Sequence, residues 1–294
     1  MVRLMNATPF LGLFFCFSRF FFVYLQKMTK IQFRNEDCFT TMDLLVEKEK
    51  RVDIILTSPP YNTARKVKTA KAINSHINRY DSYNDNMTDD EYCNWTVKLF
   101  NVFDKVLAKN GVILYNLSYG SENPNVMWLT IGDILRKTNF MVADTVIWKK
   151  KSALPNNTSH NKLTRIVEYI FVICRKDEFK TFNANKKVTK ESSTGQKYYE
   201  NVFNFIEAPN NDGSCALNKA TYSSELCEKL LNIYATENSI VYDPFMGTGT
   251  TAIACQKFND MDNNMICIGS EISEKQVEYS KERLDKFLKE NDIC

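Results

Sequence analysis

Zinc-type ligand spacing is missing from this chain. Its nine cysteines include no C-x-x-C pair, and its two histidines stand in no cysteine–histidine pattern, so no structural metal site is expected. An odd number of cysteines without regular spacing fits reduced thiols in a cytoplasmic protein better than a disulfide framework. A large charge excess is lacking too. The 38 Lys and Arg against 35 Asp and Glu leave a net charge of +3. That is too little to mark a nucleic-acid binder by itself, so the placement of charge matters more than its sum. Nor is there a run of about 20 uninterrupted apolar residues, the length a membrane helix needs. The nearest candidate, MVRLMNATPFLGLFFCFSRFFFVYLQK at 1–27, is rich in phenylalanine but is broken by Arg19 and leads to no A-x-A cleavage site. Residues 1–27 are expected to be an N-terminal hydrophobic extension outside the folded domain, with no membrane attachment. Internal repeats are absent.

What is present is enough for a large core: 294 residues, 44% hydrophobic and 25% charged, suit one large α/β domain. Strands are expected at 31–33, 52–57, 111–117, 140–150, 165–176, 239–245 and 265–272. Helices are expected at 39–50, 88–111, 128–139, 223–235, 247–258 and 273–290. For the helix at 88–111, Thr88 is the cap, acids fill the first turn, and Gly111 is the stop. Residues 62–88 show no period and are expected to form a long loop. Residues 177–219 are polar with only short apolar pieces. Alternating strands and helices predict a mostly parallel sheet with helices on both faces.

TSPPYNT at 57–63 follows the buried-strand run VDIIL. Two prolines stop a strand and hold the next residues rigidly at its end. In open α/β sheets, ligands bind outside the carboxyl ends of strands. Read alone, the stretch is a rigid exit or a site. A second strand-to-helix junction, DPFMGTGTT at 243–251, carries Gly247 and Gly249, which allow a tight turn and close backbone approach to a ligand. It has no lysine after the second glycine and no third glycine, so it is neither a P-loop nor a dinucleotide fingerprint. Roughly twenty residues on, Glu271 ends a strand, where an acid can bond a ribose diol. A ligand with a ribose and a carboxylate but no phosphate satisfies both features. S-adenosyl-L-methionine is such a molecule, with Asp243 toward its amino group and the helix start toward its carboxylate.

Together the two motifs resemble those of the amino-methylating DNA methyltransferases, which make N4-methylcytosine or N6-methyladenine. Ser58-Pro59-Pro60-Tyr61 is similar to their catalytic motif. Asp243, Pro244, Phe245, Gly247, Gly249, Thr250 and Thr251 are similar to their donor motif. The catalytic motif comes first, similar to the permuted β-class order, and the resemblance covers residues 29–290. It implies a Rossmann-like S-adenosylmethionine-dependent methyltransferase fold, with a catalytic domain over 28–290. Asp37 and Cys38 of the opening segment would then lie near the donor's adenosine. RIVEYIFVICRK resembles the family's later strand, with Arg165 and Glu168 as its characteristic charges. The segment at 218–231 departs from the family pattern, reading Asn218, Lys219, Tyr222 and Ser223 where His-Pro and Phe-Pro or Lys-Pro are usual.

The chemistry implied needs no cysteine nucleophile. An exocyclic amino group is a poor nucleophile because its lone pair is delocalised into the ring. Ser58 and the Pro59 carbonyl would accept its hydrogens, and Tyr61 would stack on a base taken out of the duplex. Serine in the first motif position is expected to favour cytosine N4, with adenine N6 the alternative. An RNA or protein N-methyltransferase is a more distant one. Double-stranded DNA is the expected partner, with Arg65, Lys66, Lys68, Lys71, Arg79, Lys149 and Lys150 toward its phosphates. The loop 62–88 would face DNA, and 150–164 with 177–219 would read the target sequence. A cognate restriction endonuclease and a homodimer are further possible partners.

Overall fold

In the computed structural model the described residues are 30–62, 87–119, 123–153, 155–213, 215, 217–218, 221–261 and 264–291. The extension at 1–27 lies outside them. So does most of the 62–88 loop, with Arg65, Lys66, Lys68, Lys71 and Arg79.

One eight-stranded sheet organises the chain, in the order β1-β10-β9-β2-β3-β5-β4-β8. Its strands are β1 (Ile31–Arg34), β2 (Val52–Thr57), β3 (Leu107–Leu117), β4 (Phe140–Lys150), β5 (Val167–Arg175), β8 (Phe205–Ala208), β9 (Ile240–Asp243) and β10 (Ile266–Ser270). Neighbours from β1 to β3 pair in parallel. Only β5 runs against the rest, pairing antiparallel with β3 and β4, while β8 is parallel to β4. The apolar runs that read as strands are buried on both faces, as parallel sheets require.

Among the described residues, three helices cover each face. α1 (Cys38–Glu47), α2 (Asp89–Val106) and α3 (Val126–Lys137) pack with Ile55, Ile113, Phe171 and Tyr242. α4 (Ser224–Tyr234), α5 (Thr250–Asn259) and α6 (Glu274–Asn291) pack with Ile54, Leu114, Val146, Ile170 and Val241 on the other side. The expected mostly parallel sheet, covered on both faces, is what forms.

Two expectations need correction. Thr88 does cap α2, in a reciprocal capping box with Glu91, but the helix stops at Val106 and not at Gly111. Leu107 is already extended and pairs with Val52. Asn110, at φ 59°, then turns the chain. Gly111 belongs to that turn, because a Cβ there would lie 2.7 Å from the Leu107 side chain. The polar stretch 177–219 also holds three strands. β6 (Val188–Glu191) and β7 (Lys197–Tyr199) form a separate exposed hairpin, and β8 extends the main sheet.

Candidate active site

The permuted order places the two motifs far apart in sequence but side by side in space. β2 ends at Thr57 and leads into the proline motif, and β9 ends at Asp243 and leads into the glycine turn. These strands are direct neighbours, with Ile54 opposite Val241 and Ile55 opposite Tyr242. Thr57 Oγ1 donates to Asp243 Oδ1 at 2.9 Å, a buried bond that ties one motif to the other. Both therefore sit at the carboxyl edge of the sheet, where open α/β folds bind ligands.

On the donor side, Asp243 is 1% exposed. Its Oδ1 also accepts from the Phe245 amide at 3.1 Å, and its Oδ2 from Tyr222 at 3.0 Å and Thr251 at 2.6 Å. A carboxylate offers about four acceptor positions, and internal donors take them. Both oxygens of the Asp243 side chain are therefore engaged within the protein. The carboxylate fixes the glycine turn against β2. Burial raises its pKa above the ordinary carboxylate value, opposed by the hydrogen bonds from Thr251 and Thr57. Tyr222, which stands where the family pattern would have a different residue, supplies one of these bonds. Burial first, then Asp243, pushes its phenol well above the ordinary value.

Gly247 and Gly249 adopt φ of 54° and 78°, backbone that side chains disfavour. Space forbids a side chain as well: a Cβ on Gly249 would meet Ser280 at 2.9 Å, and one on Gly247 would meet Asn218 at 3.0 Å. Glu271 accepts from the Gly247 amide at 3.0 Å and the Ser273 amide at 2.9 Å, and remains half-exposed. Beside it, Asp37 caps α1 by accepting from the Phe39 amide at 2.8 Å. The Cys38 carbonyl accepts from Tyr242, and burial together with Asp37 pushes the Cys38 thiol up to about 12. Thr250 and Thr251 open α5, whose first turn has no side-chain cap. The half-exposed Glu271 beside this glycine turn is a group that a ribose diol could bond.

Sequence reasoning missed the residues that clamp this turn from α6. Ser280 donates to the Gly247 carbonyl at 2.9 Å, and Arg283 donates to the Thr248 carbonyl at 3.0 Å and to Thr250 Oγ1 at 3.2 Å. Arg283 also pairs with Asp212, which accepts from the α4 amide of Ser224. Gly269 is a further silent determinant: a Cβ there would stand 1.7 Å from Met246 Cε.

On the acceptor side, Ser58 Oγ and Tyr61 Oη lie 2.7 Å apart. Tyr61 Oη donates to Glu168 Oε2 at 3.1 Å and accepts from Asn116 Nδ2 at 2.8 Å. The Asn116 amide reaches Glu168 Oε2 as well, at 3.1 Å. Tyr92 of α2 donates to the Pro60 carbonyl at 2.7 Å and pins the proline turn. Asn62, at φ 51°, clasps Met87 through its amide and carbonyl, at 2.9 and 2.8 Å.

The two rim lysines expected to meet phosphates are already paired. Lys150 lies 2.5 Å from Glu168 and over the Trp148 ring, inside the acceptor cluster, while Lys149 bonds Glu207 on the exposed edge. Strand alternation explains the divergence, since neighbours on a strand face opposite ways. Of the characteristic charges, Glu168 reaches the cluster. Arg165 instead lies over the Tyr119 ring at 5.2 Å and donates to the Tyr119 carbonyl. Asn116 had no signal in a strand that reads as apolar. Described cysteines are all free thiols; burial raises Cys38, Cys93, Cys174 and Cys227, and a hydrogen bond with Cys255 together with burial raises Cys267, away from nucleophilic thiolate. Among the described residues no cluster could hold a metal ion and no helix is long and apolar enough to cross a membrane.

The fold and the paired motifs define a Rossmann-like methyltransferase with its catalytic motif first. The family described as DNA methylase matches residues 52–282, and the chain belongs to that family. It is 24% identical over 271 residues to the type II methyltransferase M.BglII of Bacillus subtilis, covering 85% of this chain and 69% of that protein. Among solved structures, the PvuII cytosine-N4-specific DNA methyltransferase aligns with a TM-score of 0.61 at 16% identity, over 86% of this chain and 85% of that one. The M1.HpyAVI–SAM complex aligns with a TM-score of 0.54 at 20% identity, over 86% and 98%.

Proposed function

We propose that this chain moves a methyl group from S-adenosyl-L-methionine to the exocyclic amino group of a base flipped from double-stranded DNA, cytosine N4 before adenine N6. The Thr57–Asp243 bond carries the reading, because it sets the glycine turn of the donor side against the proline motif of the acceptor side. The donor supplies an electrophilic methyl on a sulfonium. The protein's task is to place an amino nitrogen in line with it and to withdraw that nitrogen's hydrogens. Ser58 Oγ and the Pro59 carbonyl accept those hydrogens, localising the lone pair. Glu271, Gly247, Gly249, Thr250 and Thr251 hold the donor, with Asp37, Cys38, Pro244 and Phe245 around it. Asp243 acts by fixing their geometry.

Target reading belongs to the 150–164 segment, which lies between β4 and β5 at the same edge and carries Leu163 at 88% exposure, with the loop after Asn62 and its cations on phosphates. The likeness of name to type II enzymes supports a role in, or descent from, a restriction–modification system with its own endonuclease. The cytosine preference rests on Ser58 and is consistent with the cytosine-N4 specificity of the PvuII enzyme. The test is to incubate the chain from Met28 with unmodified DNA and labelled donor, digest to nucleosides and identify the product by mass spectrometry. N4-methylcytosine is expected. N6-methyladenine would overturn the base assignment and keep the rest, and label on protein or RNA alone would overturn the DNA reading.

A further inference from the structure

Methylation leaves the acceptor nitrogen with one proton too many, and the hydrogen bonds around Tyr61 give that proton a direction. The Asn116 amide group is wedged between Tyr61 Oη and Glu168 Oε2, 2.8 and 3.1 Å away. Turned the other way, its oxygen would face a carboxylate, so its N–H groups must point at both. The cost is visible: Asn116 is 4% exposed and its Oδ1 is buried with no hydrogen-bond partner among the described residues. With one lone pair of Tyr61 Oη taken by Asn116, the phenol's own proton goes to Glu168, which is acceptor-only when ionised. Ser58, 2.7 Å away, is then the donor to Tyr61. This leaves the Ser58 oxygen with its lone pairs toward the end of β2, where an amino hydrogen would arrive. Lys150, 2.5 Å from the other Glu168 oxygen, fixes the carboxylate and balances its charge.

We infer that Glu168 receives the proton released by methyl transfer, relayed through the hydroxyls of Ser58 and Tyr61, an inference that rests on the amino-methylating reading above. The new bond is nitrogen to methyl carbon, and the bond broken is methyl carbon to sulfur, which keeps the electron pair. The amino nitrogen passes a proton to Ser58, Ser58 passes its own to Tyr61, and Tyr61 passes its own to Glu168. Glu168 ends as a neutral acid beside the Lys150 ammonium, 25% exposed at its side chain, and loses the proton to water before the next turnover. Glu168 touches no reacting atom. It acts through the two hydroxyls, with Asn116 holding their order.

The test compares single-turnover methylation, at saturating S-adenosylmethionine and a DNA that the wild-type chain methylates, in variants of full-length protein. Glu168→Gln keeps the shape and an acceptor but holds no transferred proton, and its rate should fall by about 10²-fold, in the range of general base effects, with donor affinity unchanged by calorimetry. Tyr61→Phe, which cuts the relay and leaves the Glu168–Lys150 pair, should fall alike and covers the case of a misfolded glutamine variant. Lys150→Met leaves the carboxylate in place and should lose at least about tenfold less than Glu168→Gln. Acetate added to Glu168→Ala should restore rate. Equal losses in the glutamine and Lys150→Met variants, a wild-type rate in Glu168→Gln, or no acetate rescue would reduce the cluster to a structural ion pair and overturn the relay. A wild-type chain that methylates no DNA base overturns the functional reading itself, a separate result.

Discussion

The two halves of the site are built in opposite ways. The donor half is made of backbone and of polar groups sealed inside: two glycines at positive φ, Asp243 at 1% exposure and Tyr222 fully engaged with it. The acceptor half is made mostly of side chains around the proline turn, Ser58 and Tyr61 after β2, Asn116 from β3, Glu168 from β5 and Lys150 from β4. A backbone cradle tolerates no change of volume, whereas a side-chain cluster can exchange members while its frame stands. That difference suits an enzyme family in which one donor must be held and many target bases and sequences read.

The sharpest way to break the comparison is Gly269→Ala. The new Cβ would fall 1.7 Å from Met246 Cε and 2.9 Å from Met246 Cβ, so the whole Met246 side chain must leave a core site where it is 4% exposed. We expect about 3 kcal/mol of destabilisation, at the upper end of overpacking costs, and lost donor binding. Met246→Ala in the same chain should recover part of both, read by thermal melts and calorimetry. Next comes Asp243→Asn, which replaces one acceptor oxygen by a donor facing Tyr222 and Thr251 or Thr57. A cost of about 2 kcal/mol follows from the mismatched buried group, with weaker donor binding and a smaller effect on DNA affinity. A variant with parental stability and donor affinity would place the turn's rigidity elsewhere.

The smallest effect is on pH dependence, and it comes from buried groups in both halves of the fold. Burial raises Tyr222 and Tyr242 well above the usual phenol range and Cys38 to about 12. Cys174 rises to about 11 and Tyr234 to about 12. A raised folded value means the folded chain keeps protons that the unfolded chain has released. This stabilising contribution is whole below the ordinary thiol value of 9.0 and is lost as pH climbs to about 12. Melting temperature in reducing buffer should therefore fall steadily from pH 9 to pH 11, and a flat profile would contradict the burial of these groups.

Legibility in the sequence follows the same division. The donor half could be read because its parts are consecutive: glycine, threonine and a strand-end acid at fixed spacing. The parallel sheet could be read from β-branched runs alternating with amphipathic helices. Asn116 and the Lys150–Glu168 pair could not, because register between β3, β5 and β4 decides who meets whom, and no single-strand pattern encodes register. Nor do two consecutive lysines reveal that the strand turns Lys149 toward Glu207 and Lys150 toward Glu168. Asp243 is legible as the acid at its junction, but a motif names a residue without saying which way its carboxylate turns. β8 was missed because four residues with alternating exposure carry too little pattern.

The clasp between Asn62 and Met87 has a consequence for how such a chain can change. The site residue Tyr61 and the first turn of α2 are moored independently of whatever chain joins them. Closing a loop grows dearer only logarithmically with its length, by about 0.6 kcal/mol per doubling. Residues between the clasp's two ends can then be lengthened, shortened or exchanged at small thermodynamic cost. Mooring of this kind makes the connection a socket: Tyr61 and the start of α2 keep their places whatever length of chain is inserted between them.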